Sequence, residues 1–185
     1  SIEHTPNLLE AIRYRRGSLS LLDQLKLPHH MEYFEVRSAA EGASAITTMK
    51  VRGAPAIAVT AALSIAVEIP RLVAEKKSLS LFVTALEERL DLLAASRPTA
   101  VNLFQAIREI RTEMKTWLNQ NSSPAAEPAG LGESIVRYAE GMLEKDLADN
   151  RAIGAHGANL FKDAPARSLR LLTHCNTGSL ATVGY

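Results

Sequence analysis

The sequence predicts an α/β protein. A mainly helical first part carries a small antiparallel sheet, and the first strand of a parallel sheet follows near the end. Three observations support this. Residues 8–37 are short extended pieces separated by turns, residues 38–162 carry apolar side chains at helical spacing, and residues 169–182 follow a strand–turn–helix pattern. We therefore predict an N-terminal helical domain over residues 1–148 and the start of a second, incomplete domain over residues 149–185.

Two strands are expected in the first 37 residues, over 19–25 and 31–36, with turns at Gly17-Ser18 and at residues 28–30. The next segment is helical, because Ala39, Ala43, Ile46 and Met49 recur at intervals of three and four residues.

Gly53 ends that helix, and Pro55 suits the first turn of the next one. This next helix, over about 55–69, has almost no polar face and is expected to be buried all round. Three further amphipathic helices are predicted: one after a serine cap at Ser78 or Ser80, one around 103–117 and one around 135–151. A polar loop over 119–130 separates the last two. A short helix over 154–162 would end before Pro165.

The pattern changes at residues 169–173, which are predicted to form a short apolar strand. It leads into a polar turn around Cys175 and a helix start over 179–182, which is the first unit of a doubly wound sheet. One parallel strand cannot pair its own backbone groups or bury both faces. We therefore expect that the polypeptide continues or that another chain completes the sheet. The isolated fragment should be inactive and should associate through the unpaired strand.

The composition is that of a folded domain and excludes several classes of function. The chain has 185 residues, of which 46% are hydrophobic, with 21 basic and 20 acidic side chains. These values argue against disorder and against a large nucleic-acid interface. No stretch reaches the roughly 18 apolar residues of a membrane span, the helix over 55–69 is too short for one, and no signal peptide is visible. A single cysteine is typical of a reducing compartment, so we expect a cytoplasmic location, with a nuclear pool allowed.

Two arginines lie at breaks between helices. Arg52 precedes Gly53, Ala54 and Pro55, where unpaired amides and the positive helix end can bind a phosphate that the arginine grips in bidentate fashion. The alternative is a Gly-Pro break with a surface arginine. Arg97 lies in a similar Ser-Arg-Pro-Thr break, where a solvated arginine is the alternative. The sequence does not bring the two together.

Cys175 lies where a strand ends and a helix begins, the usual ligand position in α/β sheets. A helix start and the adjacent His174 would favour a thiolate, whereas a lone cysteine near a strand is otherwise a small buried apolar residue. The pair His29-His30 and the lone His156 are interpreted as surface histidines. We find no metal-ligand spacing, no P-loop and no dinucleotide-binding glycine motif.

Three segments, in order, resemble the methylthioribose-1-phosphate isomerase family of methionine salvage: residues 51–57 (VRGAPAI), 96–102 (SRPTAVN) and 173–182 (THCNTGSLAT). Residues 9–14 and 142–147 fit the same family. The resemblance covers essentially the whole chain and about the first half of such an enzyme. It implies a helical domain with a small antiparallel sheet, then a Rossmann-like domain, in a homodimer. The implied reaction is an aldose–ketose isomerisation of a phosphosugar without metal or redox cofactor.

The resemblance also implies roles for single residues. Arg52, Gly53, Ala54 and Arg97 would bind the substrate, chiefly its phosphate, and Cys175 would be the catalytic cysteine. The family's catalytic aspartate would lie beyond this sequence. Two alternatives stay open. The first is a non-catalytic regulatory subunit related to translation initiation factor 2B, and the presence of Cys175 in its motif argues against it. The second is another phosphosugar isomerase, such as ribose-1,5-bisphosphate isomerase.

Overall fold

The computed structural model describes residues 9–76, 78–123, 126–162, 170–175 and 177–184. Within these residues, three strands precede five helices and a 3-10 turn. The elements are β1 (Ile12–Arg15), β2 (Ser18–Leu22), β3 (Tyr33–Val36), α1 (Ala39–Thr47), α2 (Ala54–Glu75), α3 (Leu79–Ser96), α4 (Val101–Gln120), α5 (Pro128–Asn159) and the turn Gly178–Leu180. The predicted mainly helical part with a small antiparallel sheet is confirmed.

The sheet is antiparallel, with β2 in the centre, and covers one side of the helices. Leu19, Leu21 and Leu22 of β2 are fully buried. A two-residue loop joins β1 to β2, and within it Gly17 has a φ of 83°, which glycine adopts without steric cost. The strand β1 was not predicted, because its alternating arginines hide a short apolar pattern.

Helix α1 begins where predicted, since the Ser38 side chain accepts a hydrogen bond from the Glu41 amide. It ends earlier than the apolar spacing suggests. Met49 lies beyond the last helical residue with a φ of 60° and an exposed side chain, so its predicted place on the buried helix face is wrong.

Helix α2 is the centre of the core and packs against each of the other helices and against β1 and β2. It has 22 residues rather than the roughly 14 predicted, because it continues through Pro70. Pro70 is exposed, and burial of Ile69 and Leu72 on either side of it holds the helix together. By length and composition alone the helix could cross a membrane, but 78% of its apolar window is buried inside the protein. It is therefore the core helix of this domain.

Helices α3 and α4 bury the faces that the sequence predicts. Ser78 caps α3 through the Leu81 amide. The buried side chains include Phe82, Leu86, Leu90 and Leu93 of α3, and Leu103, Ile107, Ile110 and Met114 of α4.

Helix α5 is one continuous helix of 32 residues rather than two. Gly154 does not break it, since a glycine costs a helix only about 1 kcal/mol relative to alanine. Its first half is buried against α2 and α4, whereas Ile153 and His156 in its second half are exposed. The helix runs through residues 148 and 149 without interruption, and the domain division there stays a prediction.

Residues 170–174 form no strand, and Leu171 and Leu172 are exposed. Residue 169, where the predicted strand begins, lies outside the described residues. A strand is maintained by hydrogen bonds to a neighbouring strand, and no strand pairs with these residues in the described part of the chain. The predicted helix start over 179–182 is the short turn Gly178–Leu180.

One buried carboxylate joins three of the helices. Glu68 of α2 is only 2% exposed and accepts hydrogen bonds from the Ala39 amide at 2.8 Å, from Arg71 at 2.7 Å and from Arg89 of α3 at 3.2 Å. Burial raises the pKa of Glu68, but these hydrogen bonds outweigh it and hold the pKa below its usual value. The ionised carboxylate thus fixes the start of α1 against α2 and α3.

Candidate functional site

The N-terminal end of α2 provides the first part of the candidate site. Gly53 precedes the helix with a φ of 91°, no side chain caps the helix, and Pro55 lies in its first turn. Ala54 is exposed, and the Ala56 amide already donates to the Ala181 carbonyl at 3.0 Å. The open helix end with its partial positive charge is suited to binding an anion.

Arg52 lies beside this helix end and is half-buried. One of its terminal nitrogens donates to the Gln24 carbonyl at 3.2 Å, and its Nε is buried without a hydrogen-bond partner. It forms no ion pair with any residue that the structure describes. A buried guanidinium N–H without an acceptor is costly, and an anionic ligand would supply that acceptor.

Arg97 follows the last residue of α3 and has a similar environment. It is half-buried, and its buried Nη1 has no hydrogen-bond partner in the part of the chain that the structure describes. The neighbouring Ser96 carbonyl accepts a hydrogen bond from Thr47 Oγ1 at 3.2 Å. This contact brings the end of α3 next to the end of α1, five residues before Arg52. Both arginines therefore lie at connected helix ends, each with an unsatisfied donor.

Cys175 is exposed, so it is not a buried core thiol. Its φ of 64° lies in the left-handed region, which costs a residue other than glycine about 1–3 kcal/mol and is frequent at functional sites. The adjacent Thr173 and Thr177 hydroxyls form a hydrogen bond of 3.3 Å across the loop. Asn176 lies outside the described residues.

The segment after Cys175, residues 178–184, packs onto the start of α2. A Cβ added to Gly53 would lie 2.4 Å from the Cα of Ala181, so the two backbones touch at this point. The Val183 carbonyl accepts from the Ile12 amide at 3.0 Å, and the Val183 amide donates to Asp146 Oδ2 at 2.8 Å. The structure therefore brings two of the predicted motifs, around Gly53 and around Cys175, into contact.

Two residues of this arrangement were missed by the sequence analysis. Gln24 lies just beyond β2, is 5% exposed, and donates from its side chain to the Leu180 carbonyl at 2.7 Å. Asp146 lies on α5, where burial raises the pKa of its carboxyl against the opposing effect of the Val183 amide. The only sequence signal for Gln24 was its place in a polar pair, Asp23 and Gln24, directly after an apolar strand.

The described residues contain no cluster of three or more histidine, cysteine, aspartate or glutamate side chains that could hold a metal ion. His29, His30 and His156 are exposed, in agreement with their interpretation as surface residues. The assignments of Arg52, Gly53, Ala54, Arg97 and Cys175 to substrate binding and catalysis stay predictions.

The core helix of this domain begins with an open end that lies next to Arg52 and against the segment after Cys175. The sequence pattern of the Initiation factor 2 subunit family (IF-2B) matches residues 50–184, and this chain belongs to that family.

The similar curated proteins carry the name of one enzyme. A methylthioribose-1-phosphate isomerase of Coccidioides posadasii is 48% identical over 96% of this chain and 47% of its own length. The corresponding protein of Zea mays is 46% identical over the same shares. The chain therefore spans about half the length of the curated relatives it matches.

Two solved structures share the fold of this chain. The 5-methylthioribose 1-phosphate isomerase from Pyrococcus horikoshii matches with a TM-score of 0.81 and 31% identity, over 100% of this chain and 49% of that one. The delta subunit of translation initiation factor eIF-2B from A. fulgidus matches with a TM-score of 0.74 and 35% identity, over 95% of this chain and 47% of that one. The fold is thus shared by an isomerase and by a translation-factor protein.

Proposed function

We propose that this chain forms the helical half of an aldose–ketose isomerase that converts 5-methylthioribose 1-phosphate to 5-methylthioribulose 1-phosphate in methionine salvage. The observation that carries the proposal is the identity of 42–48% to relatives with that name over 96% of the chain. The candidate site is consistent with it, because Arg52 and Arg97 each have a buried donor without a partner among the described residues and the segment after Cys175 packs on Gly53.

In this proposal the substrate phosphate lies between the start of α2 and the two arginines. Arg52 and Arg97 donate to its oxygens through the buried nitrogens that have no partner among the described residues. Gly53 and Ala54 contribute backbone at the helix end, where the absence of a side chain at Gly53 allows close approach. Charged hydrogen bonds of this kind contribute about 1.5–3 kcal/mol each to binding.

Cys175 takes part in the chemical step. A phosphate on the anomeric oxygen prevents spontaneous opening of the sugar ring, so the enzyme has to assist ring opening and then move hydrogen between two carbons. An acid/base pair in a pocket with little water is suited to both tasks. The second member of the pair is not assigned to any aspartate of these 185 residues. Because Cys175 is exposed here, the rest of the isomerase would have to close the pocket over it.

The decisive experiment measures turnover of 5-methylthioribose 1-phosphate by the full-length protein and by its Cys175→Ser variant. We expect turnover by the wild type, loss of turnover in the variant, and unchanged affinity for inorganic phosphate in both. Thr173→Ser, a conservative change in the same exposed loop, serves as the control and should keep full turnover. A Cys175→Ser variant as active as the wild type would remove the cysteine from the mechanism.

A second candidate is a non-catalytic subunit related to the translation factor, which the match to the A. fulgidus protein favours. Stable copurification with translation-factor subunits together with the absence of isomerase turnover would support this candidate. A panel of phosphosugars, including ribose 1,5-bisphosphate, would distinguish another isomerase of the same superfamily. The proposal also includes a cytoplasmic location and a homodimer. Light scattering of the purified protein tests the homodimer.

A further inference from the structure

We propose that Gln24 is a positioning residue that holds the loop carrying Cys175 in register with Arg52. This inference rests on the proposed function. Gln24 connects the two motifs that the proposed reaction needs, although it lies in neither of them and comes from the sheet rather than from a helix end.

The contacts of Gln24 carry this inference. Its backbone amide donates to the Lys50 carbonyl at 3.0 Å, and its carbonyl accepts from Arg52 at 3.2 Å. Its side-chain amide donates to the Leu180 carbonyl at 2.7 Å. With only 5% of the residue exposed, the side-chain amide would be costly to bury without such a partner. Gln24 thus contacts the phosphate-binding arginine with its backbone and the cysteine segment with its side chain.

Among the hydrogen bonds that tie the described residues 177–184 to other elements of the fold, the one from Gln24 to Leu180 lies nearest to Cys175 in the sequence. Other bonds that hold residues 178–184 in the described structure reach Ala181, from the Ala56 amide, and Val183, from Ile12 and Asp146. Loss of the Gln24 bond therefore frees the end of the segment next to the cysteine while the far end stays attached. A small displacement of a reacting group is enough to slow an enzymatic step strongly.

The division between backbone and side chain makes the inference testable. Any substitution at Gln24 keeps the backbone carbonyl that accepts from Arg52, and only the contact to Leu180 is lost. In the full-length protein, we expect Gln24→Met to lower kcat about tenfold, the size of effect that one net hydrogen bond allows. KM should stay within twofold, because the phosphate contacts are unchanged. The control Gln105→Met, which removes an exposed glutamine amide bonded to Glu109, should leave both constants unchanged.

A second variant separates positioning from general loss of packing. In Gln24→Glu the ionised carboxylate can only accept hydrogen bonds, so it cannot bind the Leu180 carbonyl. The protonated carboxyl can donate to it. We expect kcat of Gln24→Glu, relative to the wild type at the same pH, to rise as the pH falls. The same ratio for Gln24→Met should be independent of pH. A pH-independent ratio for both variants, or an equal change of kcat and KM, would overturn the inference.

Hydrogen exchange gives a measurement that needs no turnover. In Gln24→Met, the amides of residues 178–181 should exchange about tenfold faster than in the wild type and in Gln105→Met, whereas the Val183 amide, which donates to Asp146, should exchange at the wild-type rate. If the wild type does not isomerise the substrate, the proposed function fails, and this exchange experiment decides whether Gln24 holds the loop. If exchange and kcat of Gln24→Met both match the wild type, Gln24 has no positioning role.

Discussion

The substitution Gly53→Ala tests whether the contact between the start of α2 and the segment after Cys175 holds the candidate site together. The added Cβ would lie 2.4 Å from the Cα, 2.6 Å from the carbonyl oxygen and 2.7 Å from the Cβ of Ala181. No side-chain rotation relieves this clash, because the three atoms belong to the backbone or are attached to it directly. Either the new methyl group is compressed or the segment moves.

The expected loss has two parts. At a φ of 91°, an alanine pays about 1–3 kcal/mol of backbone strain, and overpacking adds about 1–3 kcal/mol. If the segment moves away instead, the hydrogen bonds from Ala56 to Ala181 and from Gln24 to Leu180 are lost, at about 0.5–1.5 kcal/mol each. By either route we expect the free energy of unfolding to fall by about 2–6 kcal/mol.

The matched control is Gly17→Ala. Gly17 has a φ of 83°, and no atom lies within 4 Å of the Cβ position, so this variant carries backbone strain without the clash. Urea unfolding of the wild type and both variants measures the difference, with equal m-values as the condition for comparing them. Gly53→Ala should be the less stable variant by about 1–3 kcal/mol. Equal stability of the two variants would refute the reasoning about this contact.

Three further predictions concern charged residues. Glu68→Gln should lower the free energy of unfolding by about 1.5–3 kcal/mol at neutral pH, and the exposed Glu75→Gln should not. Because the folded pKa of Glu68 is lowered, this difference in stability is complete above about pH 4.5 and is lost as the pH falls through the folded pKa. Arg97→Ala should weaken binding of inorganic phosphate by about 1.5–3 kcal/mol in calorimetry, and an unchanged affinity would reject that role. Asp146→Asn keeps an acceptor for the Val183 amide. Because burial raises the folded pKa of Asp146, ionisation of this carboxyl destabilises the fold as the pH rises through the folded pKa. In urea unfolding the variant should therefore be more stable than the wild type at neutral pH, but not in acid.

The helices show which structural features were readable from local patterns. The buried faces of α3 and α4 follow from apolar spacing, and Ser78 marks a cap that the structure confirms. The wrong helix lengths predicted for α2 and α5 also come from relying on local patterns. Pro70 reads as a helix end and Gly154 as a break, but burial around the first and the low cost of the second let α2 and α5 continue.

The candidate site divides in a similar way. Arg52, Gly53, Arg97 and Cys175 stand out locally, because each lies at the end of a predicted element, where unpaired backbone amides are available to a ligand. Gln24 does not stand out, since its side-chain partner Leu180 is 156 positions away in the chain.

Local patterns predict where most helices begin, which of their faces are buried and which residue types occupy the helix ends, because hydrogen bonds and apolar spacing within one element depend on near neighbours. They do not predict that the backbone after Cys175 lies on Gly53 and is held by Gln24 and Asp146, which is seen only in the folded protein. Contacts between distant segments depend on how every helix packs against α2, and no local pattern encodes the outcome of that packing.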